Sequence, residues 1–122
     1  MSAGDGLVAC ESTFERLVAD DPARLISWIA DGSLPPHFLT YAAEYAGSIP
    51  DSEVVRGALV PLLDHPQPIV REGAIIGLSR YLDDDRTHID PPTIVRLRVM
   101  AANDPSPGVR RSAAGALEEV CR

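Results

Sequence analysis

The segment Pro66-Gln67-Pro68-Ile69-Val70-Arg71, followed by Ala74 and Leu78, returns near the C-terminus as Pro105-Ser106-Pro107-Gly108-Val109-Arg110, followed by Ala113 and Leu117. Each matched residue lies 39 positions beyond its counterpart. A constant offset of that size, with helical spacing inside each copy, marks a repeated helical unit. One such unit cannot bury its apolar side alone, so the copies must stack to complete a core.

Local physics gives each copy the same form. A residue before proline is pushed out of the α region, so Pro-x-Pro reads as a turn. The second proline suits the first helical position, where its missing N–H costs nothing. Gln67 and Ser106 then stand at the N-cap, Ser106 being the better capping residue. Val70, Ala74, Leu78 and Tyr81 recur at three and four residues and form one helix face, as do Val109, Ala113, Leu117 and Val120. The small residues at 74 and 113 are expected to let a neighbouring helix approach closely.

The same punctuation runs through the chain and predicts seven helices. Residues 1–6 read as a frayed tail. A first helix covers about 7–19, or starts at the capping box Ser12-Thr13-Phe14-Glu15. Asp21 caps a second helix with Pro22 at its first position, and Gly32 stops it. Ser33-Leu34-Pro35-Pro36 opens a third, with Phe38, Leu39, Tyr41, Ala42, Tyr45 and Ala46, ended by Gly47. Pro36, Phe38 and Ala42 lie 32 residues before Pro68, Val70 and Ala74, a degenerate copy with Leu39 in place of the arginine.

Asp51 or Ser52 caps a fourth helix carrying Val54, Val55, Ala58, Leu59, Leu62 and Leu63, and Pro61 predicts a bend or early ending. The fifth runs from about Pro68 to Leu82, followed by a polar loop from Asp83 to Ile89. The sixth starts at Asp90-Pro91-Pro92 and holds Ile94, Val95, Leu97, Val99 and Met100, and the seventh covers about Pro107 to Cys121. No window alternates as a strand would.

Asn103 to Leu117 and His65 to Leu78 resemble the HEAT repeat, most closely the bacterial HEAT-like or phycobilisome-lyase-type variety. That family has an Asp-Pro turn, then Val-Arg, then Ala and Leu at helical spacing. Here the C-terminal copy matches nearly throughout, the middle copy has His65 where the family has aspartate, and the first copy lacks Val-Arg. The resemblance implies an all-α fold, a short right-handed α-solenoid of about three hairpins behind one leading N-terminal helix. It would form a single domain over 1–122, with hairpins at about 21–47, 52–82 and 90–121. It also implies a structural ladder between repeats built from Arg71, Asp104 and Arg110. Such repeats serve many partners, so the fold alone carries no function.

Composition narrows the classes. A net charge of −7 argues against nucleic-acid binding, which depends on cationic surface. That also disfavours the use made of HEAT-like repeats in alkylpurine glycosylases. No apolar run approaches the length of a membrane span, and no secretory signal opens the chain. Cys10 and Cys121 stand near opposite ends, which suits free thiols in the cytoplasm. All 11 basic residues are arginine, so lysine chemistry is excluded.

No constellation points to catalysis, a metal or a cofactor. His37, His65 and His88 fall at turns or helix starts, without the i, i+4 partner of a helical metal site. The His-Glu dipeptide of iron-binding HEAT enzymes is absent. Asp83-Asp84-Asp85 lacks the spacing and glycine of a calcium loop. Neither cysteine has an activating base nearby in sequence.

The expected function is therefore non-catalytic binding of another protein, by a monomer or weak homodimer, on the concave side that HEAT-like stacks line with their second helices. Helix phase turns Glu72, Ile76, Ser79 and Arg80 outward on the fifth helix, and Arg111, Gly115, Glu118 and Glu119 on the seventh. Thr40 and Glu44 take that place on the third. Ile76 is the apolar residue of this polar strip, either an interface anchor or, with the phase off by one, a core residue. Two alternatives are an acidic immunity or inhibitor protein neutralising a basic toxin or nuclease, and a lyase-like accessory protein.

Overall fold

A computed structural model describes residues 13–84 and 91–120, and every described element is helical. The expected tail, the Ser12 cap, Cys10, the 85–89 part of the loop with His88, Asp90 and Cys121 lie outside the described residues, as do the side chains of Tyr81 and Val120. After α1 (13–20) come α2 (Pro22–Ala30), α3 (Pro36–Ala46) and α4 (Ser52–Leu59). A 3₁₀ turn at Val60–Asp64 leads to α5 (Pro68–Asp84), α6 (Pro91–Asn103) and α7 (Pro107–Val120).

Five of these helices, α2, α3, α5, α6 and α7, begin on a proline. At that position the ring fixes a helical φ, and the N–H it lacks would have no partner in the helix. Asp21 caps α2 by accepting the Arg24 N–H at 3.2 Å, and Asp51 caps α4 through the Val54 N–H at 3.2 Å. Gly32, at φ 73°, turns the chain out of α2 in a backbone region that side chains disfavour. Pro61 ends α4 at Leu59 and leaves the tighter 3₁₀ turn, as its missing donor requires. α5 outruns its expected end by two residues, so Asp83 and Asp84 belong to the helix and not to the loop.

α3, α5 and α7 lie side by side, α5 in the middle, while α2, α4 and α6 pack against α3, α5 and α7 respectively. The core between them holds Leu25, Leu59, Leu63, Ile75, Leu78 and Leu97, all essentially without exposure. Each contributes about 1.5–3 kcal/mol of apolar burial. Ala42, Ala74 and Ala113 are fully buried and stand at the same place, six residues after the opening proline of α3, α5 and α7.

The closest helix approach, however, is made by glycines. A Cβ on Gly73 would lie 2.6 Å from the Thr40 carbonyl oxygen, and one on Gly77 would lie 2.7 Å from Leu59 Cδ1 and collide with the Ala43 carbonyl. Gly47 ends α3 at φ −60°, an ordinary helical value, and its missing side chain admits Gly77. Val54, Val95 and Val99 are exposed. Their helices are already seated by Val55 and Leu59, and by Ile94, Leu97 and Met100.

One polar joint links the last two copies of the repeat. Arg71 Nε donates to Asp104 Oδ2 at 3.0 Å and Nη2 donates to Oδ1 at 2.9 Å, with side-chain exposures of 12% and 7%. Arg71 Nη1 donates back to the His65 carbonyl at 2.8 Å, and Arg110 Nη1 does the same to the Asp104 carbonyl at 2.7 Å. Asp104 Oδ1 also accepts the Ser106 N–H at 2.9 Å, and His65 Nδ1 accepts the Gln67 N–H at 3.0 Å. The two copies thus share their turn bonds, with histidine in the place of aspartate. Ser106 caps α7 by a long bond, 3.4 Å, from the Val109 N–H, while the Gln67 carbonyl accepts the Val70 N–H at 3.1 Å.

Candidate functional site

Proline starts set α3, α5 and α7 in register, so equivalent positions form rows across the three helices. One row is His37, Ile69 and Gly108, each one residue past the opening proline. A second is Glu44, Ile76 and Gly115, eight residues past it. Between them lies the row of Thr40, Glu72 and Arg111. The three rows recur at three and four residues, which is one helix face.

This face carries two open hollows that meet at Ile76 and Ser112. The first, about 370 Å³, lies between α3 and α5, with Thr40, Tyr41 and Glu44 on one side and Ile69, Glu72 and Ile76 on the other. The second, about 440 Å³, lies between α5 and α7, with Ser79 and Arg80 facing Gly115, Glu118 and Glu119. Ile76 is 36% exposed, which settles its phase: it is a surface residue. Tyr41 and Ile69, at 38% and 42%, flank it and make an apolar patch. Gly108 and Gly115 stand where α5 has Ile69 and Ile76. A Cβ on Gly115 would meet nothing within 4 Å, so the glycine leaves the second hollow open.

Nine of the ten outward residues expected from helix phase line one hollow or the other. Arg111 is exposed but lines neither. Thr40 is half-buried, and its hydroxyl donates to the Ile69 carbonyl at 2.7 Å, so it serves the α3–α5 packing. Arg80 Nη1 donates to the Glu44 carbonyl at 3.0 Å, and the Ser79 hydroxyl donates to Glu119 Oε2 at 3.4 Å. The Glu72 carboxylate rests against Gly108, where a Cβ would come within 2.5 Å of Oε1. That places the carboxylate over the first turn of α7, the positive end of the helix dipole, which favours negative charge.

Helix phase did not single out Tyr41 and Ile69. Ile69 adjoins Val70, which already holds the core position of that turn. The replacement of Ile69 by Gly108 in the other copy was the available signal. His37, exposed at the rim of the first hollow, stacks on Phe38 with ring centroids 4.2 Å apart.

Among the described residues no group of three or more histidine, cysteine, aspartate or glutamate side chains is placed to hold a metal ion. A third hollow, about 430 Å³, lies on the other side against Gly57, Val60, Pro61 and Pro92, and its Arg96 is paired with Asp64. No helix among the described residues is long and apolar enough to cross a membrane. The chain matches no family model, no curated protein and no solved structure.

Proposed function

We propose that the chain is a short right-handed HEAT-like α-solenoid that binds another protein, without catalysis, on the face made by α3, α5 and α7. The observation that carries this is the exposed patch of Tyr41, Ile69 and Ile76, set in a strip of polar and acidic side chains. An apolar centre with a charged rim is the composition of a protein interface. The 39-residue repeat, the side-by-side packing of the three helices and the Arg71–Asp104 joint support the solenoid. In this reading the acidic chain works in the cytoplasm as a monomer or weak homodimer.

Site-specific photo-crosslinking in the native cell tests the assignment. A benzophenone side chain at position 76 is expected to trap one recurrent protein, and the same group at position 99, on exposed α6, is not. Equal trapping at both positions contradicts the proposed face.

A further inference from the structure

The partner's chemistry can be read from the charges that frame the patch, and this inference rests on the protein-binding role of the same face. Glu44, Glu72, Glu118 and Glu119 lie along the two hollows, against Arg80 and the neighbouring Arg111. Four carboxylates against two guanidinium groups leave the face net negative. Glu72 and Glu118 have no cationic partner among the described residues.

The placement of Glu118 and Glu119 adds a second argument. Both lie in the last described turn of α7. The C-terminal end of a helix carries the negative end of its dipole and favours cations, so two carboxylates there work against the helix. Glu119 receives only a long hydroxyl bond in return. A cation placed beside them by a partner would relieve that cost.

We infer that the face takes a cationic segment of a polypeptide. An aliphatic or aromatic anchor of that segment sits among Tyr41, Ile69 and Ile76, and its arginine or lysine side chains lie beyond Gly115 against Glu118 and Glu119. The open space at Gly115 gives those long side chains their passage from the first hollow to the second.

Three labelled synthetic peptides test this by fluorescence anisotropy at low salt. One has a Leu-Trp anchor followed by an arginine run, one has glutamates for the arginines, and one keeps the arginines but has Gly-Ser for the anchor. The first is expected to bind most tightly. The double variant Glu118→Gln/Glu119→Gln should weaken it by about three- to tenfold, as the loss of two exposed ion pairs does. Because that variant relieves the helix end, its melting temperature should hold or rise.

Failure of the arginine peptide to bind overturns the inference. So does equal binding of the glutamate peptide, or indifference to the double variant. If position 76 still crosslinks a partner in any of these cases, the binding face stands and only the cationic partner is wrong. Loss of both results removes the two together.

Discussion

Arg71 and Asp104 meet across successive copies of the repeat as a bidentate pair, at 3.0 and 2.9 Å, with both side chains nearly out of water. Desolvating two charges is costly, and the pair is tolerable because both groups are otherwise satisfied. Two backbone carbonyls take the two Nη1 protons of the arginine, and the Ser106 N–H meets the carboxylate. Removing one partner strands the other. Asp104→Ala and Arg71→Ala should each cost about 3–5 kcal/mol. Their coupling in a double-mutant cycle, measured by urea denaturation, should be roughly 0.5–3 kcal/mol. Additive effects would deny the joint any role between the copies.

The same joint sets an acid limit. Burial by itself raises the Asp104 pKa, but the Arg71 hydrogen bonds, the Ser106 N–H and the charges of Arg71 and Arg110 outweigh it, holding the carboxyl below its ordinary 3.8. A carboxylate with a depressed folded-state pKa stabilises the fold fully above its unfolded value and loses that contribution as pH falls through the folded one. The gap in unfolding free energy between the wild type and Asp104→Asn should therefore shrink as pH is lowered from about 5 toward 2. A gap independent of pH over that range contradicts the assignment.

Two glycines should respond in opposite directions. Gly77 lies where a Cβ meets the Ala43 carbonyl and Leu59, and both are held by packing. Gly77→Ala should destabilise by about 1–3 kcal/mol, as overpacking does, despite the better helix propensity of alanine. Gly57, in α4, has nothing within 4 Å of a Cβ. Gly57→Ala should raise stability by about 0.5–1 kcal/mol. Thermal melts of the two variants check both signs.

His65 shows how the copies diverge without losing the turn. In the last copy Asp104 both accepts the turn N–H and pairs with the arginine of the copy before it. For the middle copy, the copy before it has the buried Leu39 in place of that arginine, so no cation calls for an aspartate, and His65 Nδ1 accepts the Gln67 N–H. His65→Ala should cost about 0.5–1.5 kcal/mol, the worth of one hydrogen bond, and His65→Asn should recover most of it. Chemical denaturation of the pair decides the point. Equal stability of the alanine and asparagine variants would show that the acceptor is dispensable.

The helices were legible in the sequence because their starts are local. Prolines and Asp21 or Asp51 fix them through backbone geometry that needs no tertiary partner. The face of α5 and α7 was legible for the same reason, since phase follows from a known start. What a single helix cannot disclose is how near its neighbour comes. Gly73, Gly77 and Gly47 are ordinary helix or end residues in the sequence, and only the contact of α3 with α5 shows that they admit one another. Thr40 likewise changes from an outward residue to a packing residue because α5 presents the Ile69 carbonyl to it. Nor does the apolar content of α4 and α6 disclose that Val54, Val95 and Val99 lie on their uncovered side.

The measurement that tests the binding face most directly is Ile76→Asp, followed by both thermal unfolding and partner capture from the native cell, beside wild type and the control Val99→Asp. Ile76 is on the surface, so its variant should melt within about 0.5 kcal/mol of wild type, as surface substitutions do. It should also lose the partner that wild type and Val99→Asp retain. A folded Ile76→Asp that keeps the partner would contradict the assignment of this face.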